Sequence, residues 1–175
     1  GKRVVSLDIN SNEVQIESGA KFTARFFIGA DGVNSLARRE FPEELFDQRT
    51  WRDNNATAME IFVDRSEITQ PVDHPVLYFD YIDHGYSWMF PNKDKMVIGM
   101  CGLPRKNRKQ FLPSFNKFLS DIGISNAENY GMKGYTLPYG NFLLKPVFKN
   151  ILLIGDAAGF ADPLIGEGIF YAHRS

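Results

Sequence analysis

Ile151-Leu-Leu-Ile-Gly155-Asp156-Ala-Ala-Gly159-Phe-Ala-Asp162-Pro163-Leu-Ile-Gly166-Glu167-Gly168-Ile169 reads as a buried strand, a glycine-aspartate turn and the start of a helix. Ile151 to Ile154 is a short apolar run suited to a strand covered on both faces. Gly155 lets the backbone come close to a ligand, and Asp156 offers a carboxylate to hydroxyl donors. Pro163, Gly166 and Gly168 shape a second close approach before the next helix. Such a turn is suited to a polyol joined to an electron-rich ring.

The same grammar recurs upstream in Phe26-Phe-Ile-Gly29-Ala-Asp31-Gly32-Val-Asn-Ser35-Leu-Ala-Arg38-Arg39, an apolar strand running into a Gly-Ala-Asp-Gly turn. Either half alone reads as an ordinary strand-to-helix turn. The pair, in this order and with roughly 120 residues between the halves, is far more specific. Between them, three regions differ in pattern. Residues 2 to 28 alternate in short segments, Val4 to Ile9, Glu13 to Glu17 and Phe22 to Ile28, which predicts a strand meander feeding the first motif. Residues 56 to 103 are again strand-like, at Ala58–Val63, Val76–Ile82, Tyr86–Phe90 and Lys95–Cys101, and predict an antiparallel sheet. Residues 107 to 122 place Phe111, Leu112, Phe115, Phe118, Leu119 and Ile122 at helical spacing, with Pro113 tolerable in a first turn. The expected organisation is therefore 1–50 as part of one domain, 51–147 as a sheet domain with a covering helix, and 148–175 as a return to the first domain.

Composition sets limits on partners. A hydrophobic fraction of 43%, an aromatic fraction of 14% and a net charge of -1 allow a core and give no electrostatic bias toward nucleic acid. The single cysteine, Cys101, excludes an internal disulfide and is read as a small buried apolar residue. His74, His84 and His173 form no metal spacing, so no metal is expected. Arg105-Lys-Asn-Arg108-Lys109 could meet a diphosphate or a lipid headgroup, but reads first as a solvated face. No apolar run approaches the roughly 18 residues that would span a bilayer, which leaves peripheral contact as the expected membrane association.

The sheet region carries a second signal, Tyr86-Ser-Trp88-Met-Phe90-Pro91, followed seven residues later by Gly99-Met-Cys101-Gly102. Alternation places Tyr86, Trp88 and Phe90 on one face as an aromatic wall. Two readings stay open: the rings pack against the helix at 107 to 122, or they line a ligand.

The two glycine-aspartate motifs resemble the downstream fingerprints of FAD-dependent oxidoreductases with the para-hydroxybenzoate hydroxylase type of fold. The aromatic segment resembles the Tyr-x-Trp-x-Phe-Pro motif of the geranylgeranyl reductase family, which precedes a Gly-x-Gly. This chain departs from that pattern where Cys101 replaces the second glycine. Gly159 and Glu167 also look like the reductase version, since aromatic hydroxylases of this fold commonly have His and Gln there. The resemblance spans roughly residues 22 to 172. It implies an α+β / α/β fold class, part of an FAD-binding Rossmann-like domain joined to an antiparallel substrate-binding sheet. The Gly-x-Gly-x-x-Gly loop of that superfamily does not occur here, so the residues are expected to be an internal fragment that binds FAD poorly alone.

By the same resemblance the cofactor is FAD, held at Asp31, Gly32, Gly155, Asp156, Pro163, Gly166 and Gly168, with a polyprenyl lipid as the substrate on Tyr86, Trp88, Phe90 and Pro91. The segment Pro163 to Ile169 is expected to bring N–H groups and a helix N-terminus to the reduced ring. The reaction implied is hydride delivery to an isolated carbon-carbon double bond, in a cytoplasmic protein touching the membrane. No catalytic proton donor is assigned, and NAD(P)H and ferredoxin both stand as electron donors. Two rivals remain: a flavin monooxygenase or halogenase of the same fold, and a piece that is inert in isolation.

Overall fold

Along the chain the strands are β1 (Val4–Asp8), β2 (Glu13–Ile16), β3 (Lys21–Thr23), β4 (Phe27–Gly29), β5 (Ala56–Asp64), β6 (Val76–Tyr78), β7 (Gly85–Pro91), β8 (Lys95–Gly102), β9 (Lys133–Leu137), β10 (Val147–Phe148) and β11 (Ile151–Leu153). The helices are α1 (Gln48–Asp53), α2 (Pro104–Asn107), α3 (Phe111–Asp121) and α4 (Ile169–Arg174). This computed structural model describes residues 1–124 and 127–175. It is a mixed α/β structure in two units, one formed by Gly1–Asn54 with Leu137–Ser175 and the other by Asn55–Thr136. These limits differ from the expected 1–50 and 148–175. The reason is packing: Trp51 on α1 and Leu143 join the same apolar cluster as Ile151, Leu153, Ala157 and Ala158.

In the first unit, β1, β2 and β3 form the expected antiparallel meander. The strand expected from Phe22 to Ile28 is broken: the Ala24 N–H makes the last bond to the meander, at Asn12 O (3.1 Å), and the chain then leaves it. It resumes as β4, whose Phe27 N–H donates to Asn150 O at 2.8 Å. β4 pairs in parallel with β11, Phe27 opposite Ile151 and Gly29 opposite Leu153, while β10 lies antiparallel on the far side of β11. Parallel pairing puts the carboxyl ends of β4 and β11 level, so the two glycine-aspartate turns leave the same sheet edge. That edge is where open α/β sheets hold ligands.

The second unit is one sheet in the order β6-β7-β8-β5-β9, with β5 antiparallel to β8 and β7 antiparallel to both β6 and β8. α3 covers one face: Phe111, Phe115, Phe118 and Leu119 bury their rings and methyls against Ile61, Val63, Met89, Met96, Ile98 and Met100. Each such side chain contributes about 1.5–3 kcal/mol of transfer free energy. Pro113 stands in the first turn of α3, where no intrahelical donor is lost. The helix expected from residue 107 is interrupted. Asn107 is buried, its amide donating to Asp83 O (2.6 Å) and Leu103 O (2.9 Å) while its oxygen accepts from the Asp83 N–H. These bonds lock α2 to the turn before β7 and force the chain to restart at Phe111. β6 also stops at Tyr78, short of the expected Ile82.

Candidate functional site

The first motif is held from within. Asp31 accepts hydrogen bonds from the N–H groups of Leu36 (2.6 Å) and Ala37 (3.3 Å), so its carboxylate braces the turn. Gly32 takes φ +76, a left-handed conformation that a side chain would strain. Ser35 Oγ then caps the following turn through the Arg38 N–H at 3.0 Å.

Arg38 links this motif to the other. Its guanidinium donates to Val33 O (2.5 Å) and to Ala157 O (2.7 Å), and it lies 3.6 Å from the centroid of the Trp51 ring. Burial pushes its pKa down to about 10, with Asp31 acting in the opposite direction, so it remains protonated at neutral pH. No carboxylate forms an ion pair with it among the described residues; carbonyls and aromatic faces hold it instead.

The second motif is a single 3-10 turn, Gly155–Ala158, opened by a left-handed Gly155 at φ +53 and closed by a left-handed Gly159 at φ +75. A Cβ on Gly159 would overlap Asn141 O and stand 2.9 Å from the Trp51 ring. Asn141 is fixed there by its amide, which donates to Trp51 O at 2.9 Å. Asp156 is half-buried, and no group among the described residues donates a hydrogen bond to its carboxylate. Desolvation pushes its pKa above the ordinary aspartate value.

These residues border a cavity of about 450 Å3. Gly32, Gly155, Asp156, Gly166 and Gly168 line it, together with apolar neighbours such as Ala30, Pro138, Ile154 and Ala172. A Cβ at Gly155 would come within 3.3 Å of Ala172, and one at Gly168 within 3.3 Å of the Asp156 carboxylate. Asp31 and Pro163 stand outside that lining. The apolar members were not singled out from sequence, since alanine and isoleucine at these positions are indistinguishable from core.

The loop before α4 differs from expectation. The Asp162 carboxylate accepts from the Leu164 and Ile165 N–H groups, Asp162 O accepts from Gly166, and the Glu167 carboxylate accepts from Phe170. Those four donors are spent internally. α4 has six residues, and the Glu167 carboxylate already sits at its N-terminus, so its dipole is short and locally opposed. Glu167, Gly168 and Ile169 remain the candidate N–H donors to a ligand in this stretch.

The aromatic wall lies on the sheet face opposite α3. Met89 packs in the cluster under α3 and Ser87 is fully buried, so alternation along β7 turns Tyr86, Trp88 and Phe90 the other way. The rings run in a row, with centroids 5.9 Å apart from Tyr86 to Trp88 and 6.0 Å from Trp88 to Phe90, the latter pair stacked. Trp88 pairs across β8 with Gly99, and a Cβ there would overlap its indole. The absent side chain is what lets the indole lie flat. Cys101 is buried beside Tyr86, and burial pushes its thiol pKa up, which suits packing rather than nucleophilic work. Among the described residues, no helix is long and apolar enough to cross a membrane.

A glycine-lined cavity holding a carboxylate without a donor matches the needs of a ribityl hydroxyl chain, so the residues present fit FAD. The chain matches the FAD binding domain family over residues 8–172. It is 30% identical to geranylgeranyl diphosphate reductase from Rhodobacter capsulatus over 87% of its own length and 38% of that protein's. Its fold matches a geranylgeranyl bacteriochlorophyll reductase-like protein from Thermoplasma acidophilum, with TM-score 0.75 and 18% identity over 97% of this chain and 44% of that one. It also matches a tryptophan halogenase from Shewanella frigidimarina, with TM-score 0.69 and 18% identity over 99% of this chain and 33% of the other. At such identities these structures report the fold alone. The chain spans about two-fifths of the curated relatives it matches. It belongs to the FAD binding domain family and, within it, is similar to the geranylgeranyl reductases.

Proposed function

We propose that the protein reduces isolated carbon-carbon double bonds of a geranylgeranyl or other polyprenyl lipid. The observation that carries this reading is the aromatic row on β7, turned away from the covering helix, in a chain that also holds a flavin cradle. An unactivated alkene offers no oxyanion, so its binding rests on apolar burial at about 25 cal/mol per Å2. The partly exposed Tyr86 and Phe90 supply such a surface, with the buried Trp88 indole between them as its base. When bound, the reduced cofactor supplies hydride. Asp156 accepts hydrogen bonds from its hydroxyl chain, Gly32, Gly155 and Gly168 leave room for it, and Arg38 keeps the two turns in register through Ala157 O. The similarity to geranylgeranyl diphosphate reductase and to digeranylgeranylglycerophospholipid reductase 2 of Methanococcoides burtonii supports the lipid assignment.

Oxygen-using flavoproteins share the fold, which keeps hydroxylation or halogenation as the alternative. Gly159 favours reduction. The histidine commonly found there in aromatic hydroxylases has no space beside Asn141 and Trp51.

Under anaerobic conditions, a geranylgeranyl lipid is expected to reoxidise the reduced flavin; reduced flavin that persists until air enters would point to the alternative. Trp88→Ala is expected to raise the lipid concentration needed for half-maximal turnover by about tenfold, the loss of some 1.4 kcal/mol, with FAD affinity unchanged. Equal losses in both would mean that Trp88 serves folding rather than lipid binding.

A further inference from the structure

A second cavity of about 520 Å3 lies in the first unit, between the turn that ends the Asp31 motif and α1. Arg39, Arg49 and Arg52 line it, over a floor that includes the buried Phe46 ring. Arg49 and Arg52 stand three residues apart on α1 and so share a helix face. None of these three guanidiniums makes a hydrogen bond or ion pair among the described residues.

The acidic groups of the cavity are Glu43 and Asp47. Asp47 is committed to the start of α1: its oxygens accept from the N–H groups of Arg49 (2.9 Å) and Thr50 (3.2 Å) and from the Thr50 hydroxyl. It offsets charge but offers no free fork to an arginine. Beneath Phe46 lies a fourth cation, since the Arg38 guanidinium sits 5.0 Å from that ring, bonded to carbonyls and with the Asp31 carboxylate as its electrostatic partner. Its buried Nε has no hydrogen-bond partner. Three guanidiniums against two carboxylates leave the cavity lining with an excess of one positive charge, in a chain whose overall net charge is -1. Planar guanidinium forks match phosphate oxygens two at a time, and neighbouring forks suit an anion carrying more than one charge.

We propose that the Arg39–Arg49–Arg52 cavity binds a diphosphate, the group shared by nicotinamide dinucleotides and prenyl diphosphates. The assignment stands apart from lipid reduction, because it concerns binding and holds for either source of the anion.

The test is a calorimetric titration of inorganic diphosphate into the full-length, FAD-loaded protein. Saturable binding that weakens with added salt is expected. The double substitution Arg49→Gln/Arg52→Gln is expected to weaken it at least tenfold, with FAD content and the thermal midpoint unchanged; Arg49→Lys/Arg52→Lys, which keeps charge but not the fork, should retain part. If the double variant fails to fold, Arg39→Gln alone carries the same reading. Repeating the titration with NADPH and with geranylgeranyl diphosphate identifies the source: affinity for one or both should fall in step with inorganic diphosphate. Absence of saturable diphosphate binding, binding untouched by these substitutions, or loss for neither organic ligand would overturn the assignment. Each of these readouts is binding, so failure here leaves lipid reduction standing.

Discussion

Gly159→Ala is expected to destabilise the flavin-binding unit by about 2–5 kcal/mol and to abolish FAD retention. Two costs combine. Forcing a residue with a side chain into the left-handed conformation at φ +75 costs about 1–2 kcal/mol. The new methyl group would also overlap Asn141 O and press on the Trp51 ring, and overpacking of this kind costs roughly 1–3 kcal/mol. Relief by moving Asn141 would break its 2.9 Å bond to Trp51 O, which helps seat α1. Urea unfolding followed by Trp fluorescence reads the effect. Wild-type stability in this variant would mean that the turn does not need its left-handed glycine.

Asp156 gives the second large effect, with opposite signs for binding and for stability. Asp156→Ala is expected to weaken FAD binding roughly 10- to 150-fold, from the loss of charge-assisted hydrogen bonds at about 1.5–3 kcal/mol. In the apoprotein the same carboxylate is a burden, because desolvation raises its folded-state pKa with no donor to compensate. An acid whose pKa is raised by folding binds its proton more tightly in the native state. The stability it confers is present at low pH and lost as pH climbs from the ordinary aspartate value to the raised one. Asp156→Asn should therefore match the wild-type apoprotein below that window and exceed it above. Thermal unfolding of both apoproteins across acid and neutral pH checks this; a variant less stable than wild type at neutral pH would mean that the carboxylate has an internal partner.

The two motifs were legible because their chemistry is local. Glycine next to aspartate after an apolar run marks a close backbone approach, and β4 and β11 do end at Gly29 and just before Gly155. Alternation likewise placed Tyr86, Trp88 and Phe90 on one face, but which face could not be read until Met89 was seen under α3. What escaped the sequence depends on distant partners. Arg38 looked like the tail of a motif, yet it reaches Ala157, 119 residues away. Asn107 gave no sign that it would tie down the Asp83 backbone and cut a helix short. Asp31 and Glu167 carry the same carboxylate as Asp156, but the first braces its own turn and the second caps α4, which leaves Asp156 as the one with no donor. Carboxylates of one type are separated by their partners, and partners are a property of the fold.

In the proposed reaction the reduced flavin delivers its electrons to a carbon-carbon double bond of a lipid. The direct measurement is the product mass after anaerobic single turnover of the full-length, FAD-reduced protein with a geranylgeranyl lipid. A gain of two hydrogens for each double bond reduced is the result expected. An unchanged lipid without oxygen, followed by the gain of an oxygen atom in some substrate once air is admitted, would rule out lipid reduction and place the protein with the monooxygenases.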